Sequence, residues 1–151
     1  MLEQVAAFLR SIGIEVHARR IDHETLVPGV DIFAGGLIYD EPRLASPADL
    51  LHEGAHIALT PPALRAALNG TIESSPAEEV SAIAWTWAAA MHLGLDPARV
   101  FHTEVVSGNG PTLLENFATG HYVGVPMLQR WGLTGAGEYP RMRRWVREGP
   151  N

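Results

Sequence analysis

The chain has 151 residues, 46% of them hydrophobic and 19% charged, with a formal net charge of −6 and no cysteine. This is long enough for one globular domain with a sizeable core, and it excludes disulfides, iron–sulfur clusters and thiolate-bound metal, so any metal must be held by His and carboxylate side chains. All 11 basic residues are arginine and the 17 acidic ones outnumber them, which argues against general nucleic-acid binding through phosphate neutralisation.

The first segment, Leu2 to Ser11, places Leu2, Val5, Ala6 and Leu9 at helical spacing and reads as an amphipathic helix rather than a secretory leader. No stretch approaches the roughly 18 to 20 apolar residues that cross a bilayer, and a chain without cysteine suits a reducing cytoplasm, the expected location. Ile14 to Ala18 alternates as a strand does. Val30 to Phe33 and Leu37 to Tyr39 are short strand-like runs around Gly35-Gly36, a pair able to supply the positive φ angles of a tight hairpin. A small antiparallel sheet is therefore expected.

From Ser46 onward the punctuation turns helical. Ser46-Pro47, Thr60-Pro61, Ser75-Pro76 and Asp96-Pro97 each pair an N-capping side chain with proline at the first helical position, and Gly70 and Gly94 mark helix ends. The pattern predicts a helix after Ser46, a short one from about Pro61, a long apolar one from Pro76 to about Leu93, and smaller helices after Pro97, after Pro111, around Pro126 to Trp131 and around Pro140 to Arg147. In the last of these, Arg141, Arg143, Arg144 and Arg147 fit a solvated face, with Met142, Trp145 and Val146 turned partly inward. The fold class is α+β, a small N-terminal sheet with a mainly helical second half, in one domain spanning 1–151.

Within the helix that follows Ser46 stands His52-Glu53-Gly54-Ala55-His56, an HExxH element. Residues four apart share a helix face, so both imidazoles can aim at one zinc ion while Glu53 stays free to act as a base. Zinc lowers the pKa of a water it binds to about 7, and an adjacent carboxylate can take that proton during attack on a carbonyl. Leu50, Leu51, Ile57 and Leu59 supply the apolar surface that anchors the helix. Gly54 costs up to about 1 kcal/mol relative to alanine in a helix, and it permits close approach of a neighbouring backbone.

A catalytic zinc site needs a third protein ligand and an open position. A metzincin histidine is excluded, because its position is occupied by Pro62. Glu78 and Glu79 open the long apolar helix. Ser75-Pro76-Ala77-Glu78 is a capping box that gives Glu78 a structural task, whereas Glu79 precedes Ile83 and Trp87 by one and two turns and is carried toward the core side. The proposed ligands are His52, His56 and Glu79, with Glu78 in reserve and Glu115 as a fallback.

The run from Arg43 through His52-Glu53-Gly54-Ala55-His56 to Leu59, followed by Glu79 to Trp85 and Ala88-Ala89-Ala90, resembles the ImmA/IrrE-type zinc metallopeptidases. Those proteins carry HExxH on one helix and a ligand glutamate at the start of a following alanine-rich helix. The resemblance covers Arg43 to Ala90. It implies a compact gluzincin-like, zincin-like fold, zinc at His52, His56 and Glu79, and Glu53 as general base. Gly54-Ala55 stands where the family usually has a bulky residue and then glycine, and Ile83 where asparagine is common. The chain as a whole looks more like a bacterial HExxH family than like a member with an attached DNA-binding domain.

His102, His121 and Tyr122, in segments rich in glycine and turn residues, are candidates for stabilising an oxyanion, and Asn116 lies beside Glu115 on a predicted helix. His17, His23 and His92 read as structural or solvent-exposed. The leading expectation is a zinc-dependent peptidase acting on a peptide or protein substrate. The residues leave two alternatives open: a non-catalytic metal-binding domain for regulation or protein interaction, and a helical domain in which the two histidines are hydrogen-bonded core residues. Oligomeric state and substrate identity are not written in the sequence.

Overall fold

The structure, a computed structural model, describes residues 1–101 and 110–149. It is α+β, a three-stranded sheet accompanied by a mainly helical remainder. Contacts gather into two compact units. One is Met1–Glu73 with the described residues from Val146 on, and the other is the described part of Ser74–Trp145.

The first unit begins with α1 (Leu2–Ser11), which buries Val5, Ala6, Phe8 and Leu9 at the spacing that the sequence shows. The Arg10 guanidinium in its last turn donates to the Val16 carbonyl at 2.9 and 3.1 Å, which ties α1 to β1 (Val16–Ala18). Strands β2 (Val30–Phe33) and β3 (Gly36–Tyr39) form an antiparallel hairpin with Val30 opposite Tyr39 and Phe33 opposite Gly36. The turn residues are thus Ala34 and Gly35, at φ 50° and 79°, rather than Gly35-Gly36. Only glycine fits at 35, since a Cβ there would strike the Arg65 carbonyl.

The sheet is mixed, not antiparallel. Its order is β1-β3-β2, and β1 runs parallel to β3 with Val16 opposite Leu37. The connection after Ala18 carries β2 to the far side of β3, and an alternating hydrophobic pattern holds no information about strand direction. The Ile21 amide anchors that connection by donating to Asp40 Oδ2 at 2.9 Å. Val30, Ile32, Leu37 and Tyr39 are buried, as period-2 alternation requires.

A single 3-10 turn (Glu41–Arg43) leads to α2 (Pro47–Leu59), which packs against α1 and against β2 and β3. Ser46 caps it, its Oγ accepting from the Ala48 amide at 3.2 Å, with Asp49 in the positively polarised first turn. The short α3 (Pro62–Arg65) follows, with Pro61 at its N-cap position. Thr60 caps nothing in α3; it ends α2 instead, with its hydroxyl turned back to the His56 carbonyl at 2.7 Å. Gly70 likewise ends no helix, because its amide donates to the Ile32 carbonyl at the border of β2.

The second unit is organised on α4 (Pro76–Leu93), whose side chains are all buried from Ser81 to Ala90. The Trp85 indole donates to the Trp145 carbonyl at 2.8 Å, and the Tyr139 hydroxyl donates to the Ala84 carbonyl at 2.8 Å. Burial, with Tyr122 alongside, holds the Tyr139 phenol far above the usual tyrosine range. Trp87, Phe101 and Phe117 stack with ring centroids 5.2 to 6.0 Å apart. Around α4 lie α5 (Pro97–Val100), capped by Asp96, then α6 (Gly110–Ala118) and α7 (Val125–Arg130). Gly124, at φ 83°, lets the chain pass the Val80 carbonyl where a Cβ would collide.

The helix expected over 140–147 does not form. The amides of Arg143 and Arg144 both donate to the Leu133 carbonyl, at 2.8 and 3.3 Å, and Thr134 Oγ1 donates to the Arg141 carbonyl at 2.7 Å. Backbone groups committed in this way cannot make an i to i−4 ladder. Arg141, Arg143 and Arg144 are exposed, as a solvated set requires, and Arg143 pairs with Glu138 at 2.6 Å. Arg147 departs from the expectation, being only 8% exposed. Among the described residues no helix is long and apolar enough to cross a membrane.

Candidate metal centre

Helix α2 sets the first two candidate ligands. Its apolar residues Leu50, Leu51, Ala55, Ile57 and Ala58 are essentially fully buried, so the helix cannot roll about its own axis without exposing them. Gly54 belongs to the same packing. A Cβ at this position would stand 2.5 Å from Leu9 Cδ2 of α1, so glycine admits a neighbouring side chain, not a backbone as the sequence suggests. With the helix fixed, His52 and His56 meet one turn apart, their Nε2 atoms 3.3 Å apart and their rings nearly perpendicular at 87°. Two imidazoles on a tetrahedral zinc, with bonds of about 2.0 to 2.1 Å, hold their nitrogens about 3.3 to 3.4 Å apart. Two neutral rings at this separation either share one proton or turn both lone pairs to a cation. His52 is 5% exposed, and Glu53 and His56 are half-buried.

Glu79 lies in the first turn of α4, half-buried, with its Oε2 accepting from Ser74 Oγ at 3.3 Å. Glu78 has the local task expected of it. Its carboxylate accepts from the Ser75 amide at 3.0 Å while its own amide donates to Ser75 Oγ at 3.2 Å. His52, His56 and Glu79 form a group that could hold a metal ion, their potential ligand atoms all within 4.8 Å of one another. Glu78 and Glu115 are not in that group. Two nitrogens and one carboxylate oxygen are a donor set that suits zinc with a position left open, so these side chains fit the ion that the motif implies.

The other sequence candidates have different surroundings. Glu115 is exposed on α6, and its carbonyl accepts from Thr119 Oγ1 at 2.8 Å. Asn116 is half-buried, and its carbonyl accepts from the His121 amide at 2.7 Å. His121 and Tyr122 are exposed in the turn between α6 and α7, with the Tyr122 ring edge-on to Tyr139 at 4.7 Å. His102 lies outside the described residues. His17, His23 and His92 are exposed. The carboxylates of Asp22 and Asp31, which accept hydrogen bonds from its ring, raise the His23 pKa above its usual value.

Sequence reasoning missed Arg65 and Arg147, which hold the C-terminal end of α2. Arg65 Nε donates to the carbonyls of Thr60 at 3.0 Å and Ile57 at 3.3 Å, and its Nη2 to Ala58 at 3.3 Å. Arg147 donates from its amide to Ala58 at 3.0 Å and from Nη1 to Leu59 at 3.0 Å. A signal was present in Pro61-Pro62. Two residues without an N–H follow the helix, so donors for its last carbonyls must come from elsewhere. No model of a known family, no characterised protein and no solved structure matches this chain.

Proposed function

We propose that the protein is a zinc-dependent metallopeptidase with a zincin-like, gluzincin-type site, in which His52, His56 and Glu79 hold the ion and Glu53 is the general base. The observation that carries this reading is the group itself: two imidazole nitrogens 3.3 Å apart on one helix, gathered with one carboxylate within 4.8 Å. When bound there, zinc would supply a Lewis acid that polarises a carbonyl and lowers the pKa of water to about 7. One charged and two neutral ligands leave the centre net positive, which favours charge developing on a substrate oxygen.

The remaining chemistry belongs to the chain. Glu53 follows His52 on the buried, fixed α2 and is half-buried, so its carboxylate has both a rigid base and access to solvent. It accepts a proton from the attacking water and returns it to the leaving amine nitrogen as the C–N bond breaks. The resemblance of Arg43 to Ala90 to ImmA/IrrE-type enzymes supports the same assignment, and a peptide or protein is the substrate class it implies. Glu53→Gln tests the proposal with a generic unfolded protein substrate. The variant is expected to keep its zinc and lose about 100-fold or more of the hydrolytic rate. Hydrolysis at the parent rate would overturn it.

A further inference from the structure

The last turn of α2 carries His56, and each of its final carbonyls has a donor among the described residues. A helix leaves its last four carbonyls without intrahelical donors, here those of His56, Ile57, Ala58 and Leu59. The Thr60 hydroxyl takes His56 at 2.7 Å, and the Thr60 amide reaches Ile57 at 3.2 Å. Pro61 and Pro62 then offer no N–H, and among the described residues the further donors are Arg65, on Ile57 and Ala58, and Arg147, on Ala58 and Leu59. The two arginines are themselves joined, Arg65 Nη2 donating to the Arg147 carbonyl. The residues from Val146 on belong to the same compact unit as α2 although they follow the whole second unit in sequence.

Such an arrangement is costly. Burial, and then the charge of Arg147, lower the Arg65 pKa, so the two guanidinium groups repel each other in a half-dry setting. The negative end of the helix dipole and the carbonyls of Ile57, Ala58, Leu59, Thr60 and Arg147 offset that cost, and a planar fork of donors reaches them in a way that the single ammonium of lysine does not. We propose that Arg65 and Arg147 are positioning residues: by gripping the final carbonyls of α2 they hold the turn that carries His56, and so fix its Nε2 against that of His52. Uncapped ends fray by about one turn, and His56 lies in that turn while His52 lies one turn further in. The part of this inference that concerns metal rests on the metallopeptidase reading.

The test uses the full chain with Arg65→Gln, Arg147→Gln and Arg147→Lys, and Tyr139→Phe as a control that removes a buried hydrogen bond on α4. Three quantities are read: zinc affinity by competition with a chelating dye, the visible spectrum of cobalt-loaded protein, and the imidazole 1H–15N resonances of metal-free protein. Both glutamine variants are expected to bind zinc roughly tenfold or more weakly, to shift the cobalt bands and to move the His56 ring resonances but not those of exposed His17. Arg147→Lys should fall between parent and Arg147→Gln. Tyr139→Phe should lower the melting temperature and change none of the three. If the arginine variants only melt earlier, with His56 resonances as in the parent, the positioning role is wrong. A parent that binds neither zinc nor cobalt defeats the metallopeptidase reading, and the ring resonances then still decide the role of the arginines. Should Arg147→Gln fail to fold, Arg65→Gln at its half-buried position carries the same comparison.

Discussion

Helices α2 and α4 supply the proposed ligands and are secured in different ways. On α4 every side chain from Ser81 to Ala90 is buried, and both ends are closed by immediate sequence neighbours, the Ser75–Glu78 capping box and Gly94 in the left-handed conformation. On α2 the buried residues, His52 among them, are interrupted by half-buried Glu53 and His56. Its first turn is capped locally, while its last turn has Thr60 as a local donor and draws besides on Arg65 and on Arg147, far away in sequence. Packing alone can fix a helix that is apolar all round. A helix whose last turn carries a ligand needs polar contacts to fix where that turn ends.

The largest effect that can break this contrast is expected at Trp85, fully buried on α4. Trp85→Ala should destabilise the protein by about 3 to 5 kcal/mol in urea unfolding, because it removes apolar area and leaves a cavity. A loss below about 1 kcal/mol would mean that packing does not secure α4. Next comes Gly54→Val on α2, which forces added methyl groups against Leu9. It should cost about 1 to 3 kcal/mol, and a variant as stable as the parent would show that α1 and α2 are not in the close contact described.

The least effect is expected at the surface of the sheet, where His23 bridges Asp22 at 3.3 Å and Asp31 at 2.9 Å. These contacts raise the His23 pKa, the Asp22 hydrogen bond most of all. The stabilisation is therefore present at pH below the unfolded value of about 6.5 and fades as pH rises through the folded value. The exposure of the His23 ring keeps it small. Asp22→Asn should lower the His23 titration midpoint followed by NMR and leave stability nearly unchanged. An unmoved midpoint would remove the bridge.

Local signals made much of this legible in the sequence. The bounds of α4 follow from Ser75, Pro76 and Gly94, and the start of α2 from Ser46 and Pro47, because each cap acts within one turn of its own residue. The same locality separates Glu78 from Glu79, since the capping box engages one carboxylate with a neighbour three residues away. What escaped was set at a distance. The parallel pairing of β1 with β3 depends on where a connection leads, and alternation reads the same in either direction. The segment 140–147 has helical spacing but gives its amides to Leu133. Thr60 and Gly70 look like helix punctuation and instead close α2 and border β2. Arg147 has the composition of a solvated face, and only the three-dimensional path of the chain returns it to the end of α2.

The central claim is that His52, His56 and Glu79 hold one zinc ion, and elemental mass spectrometry of untagged protein purified without chelator tests it most directly. About one equivalent of zinc in the parent is expected, lost in His56→Ala and in Glu79→Ala. A parent that carries no zinc and takes up none when it is supplied would contradict the claim, and full occupancy in Glu79→Ala would remove Glu79 from the ligand set.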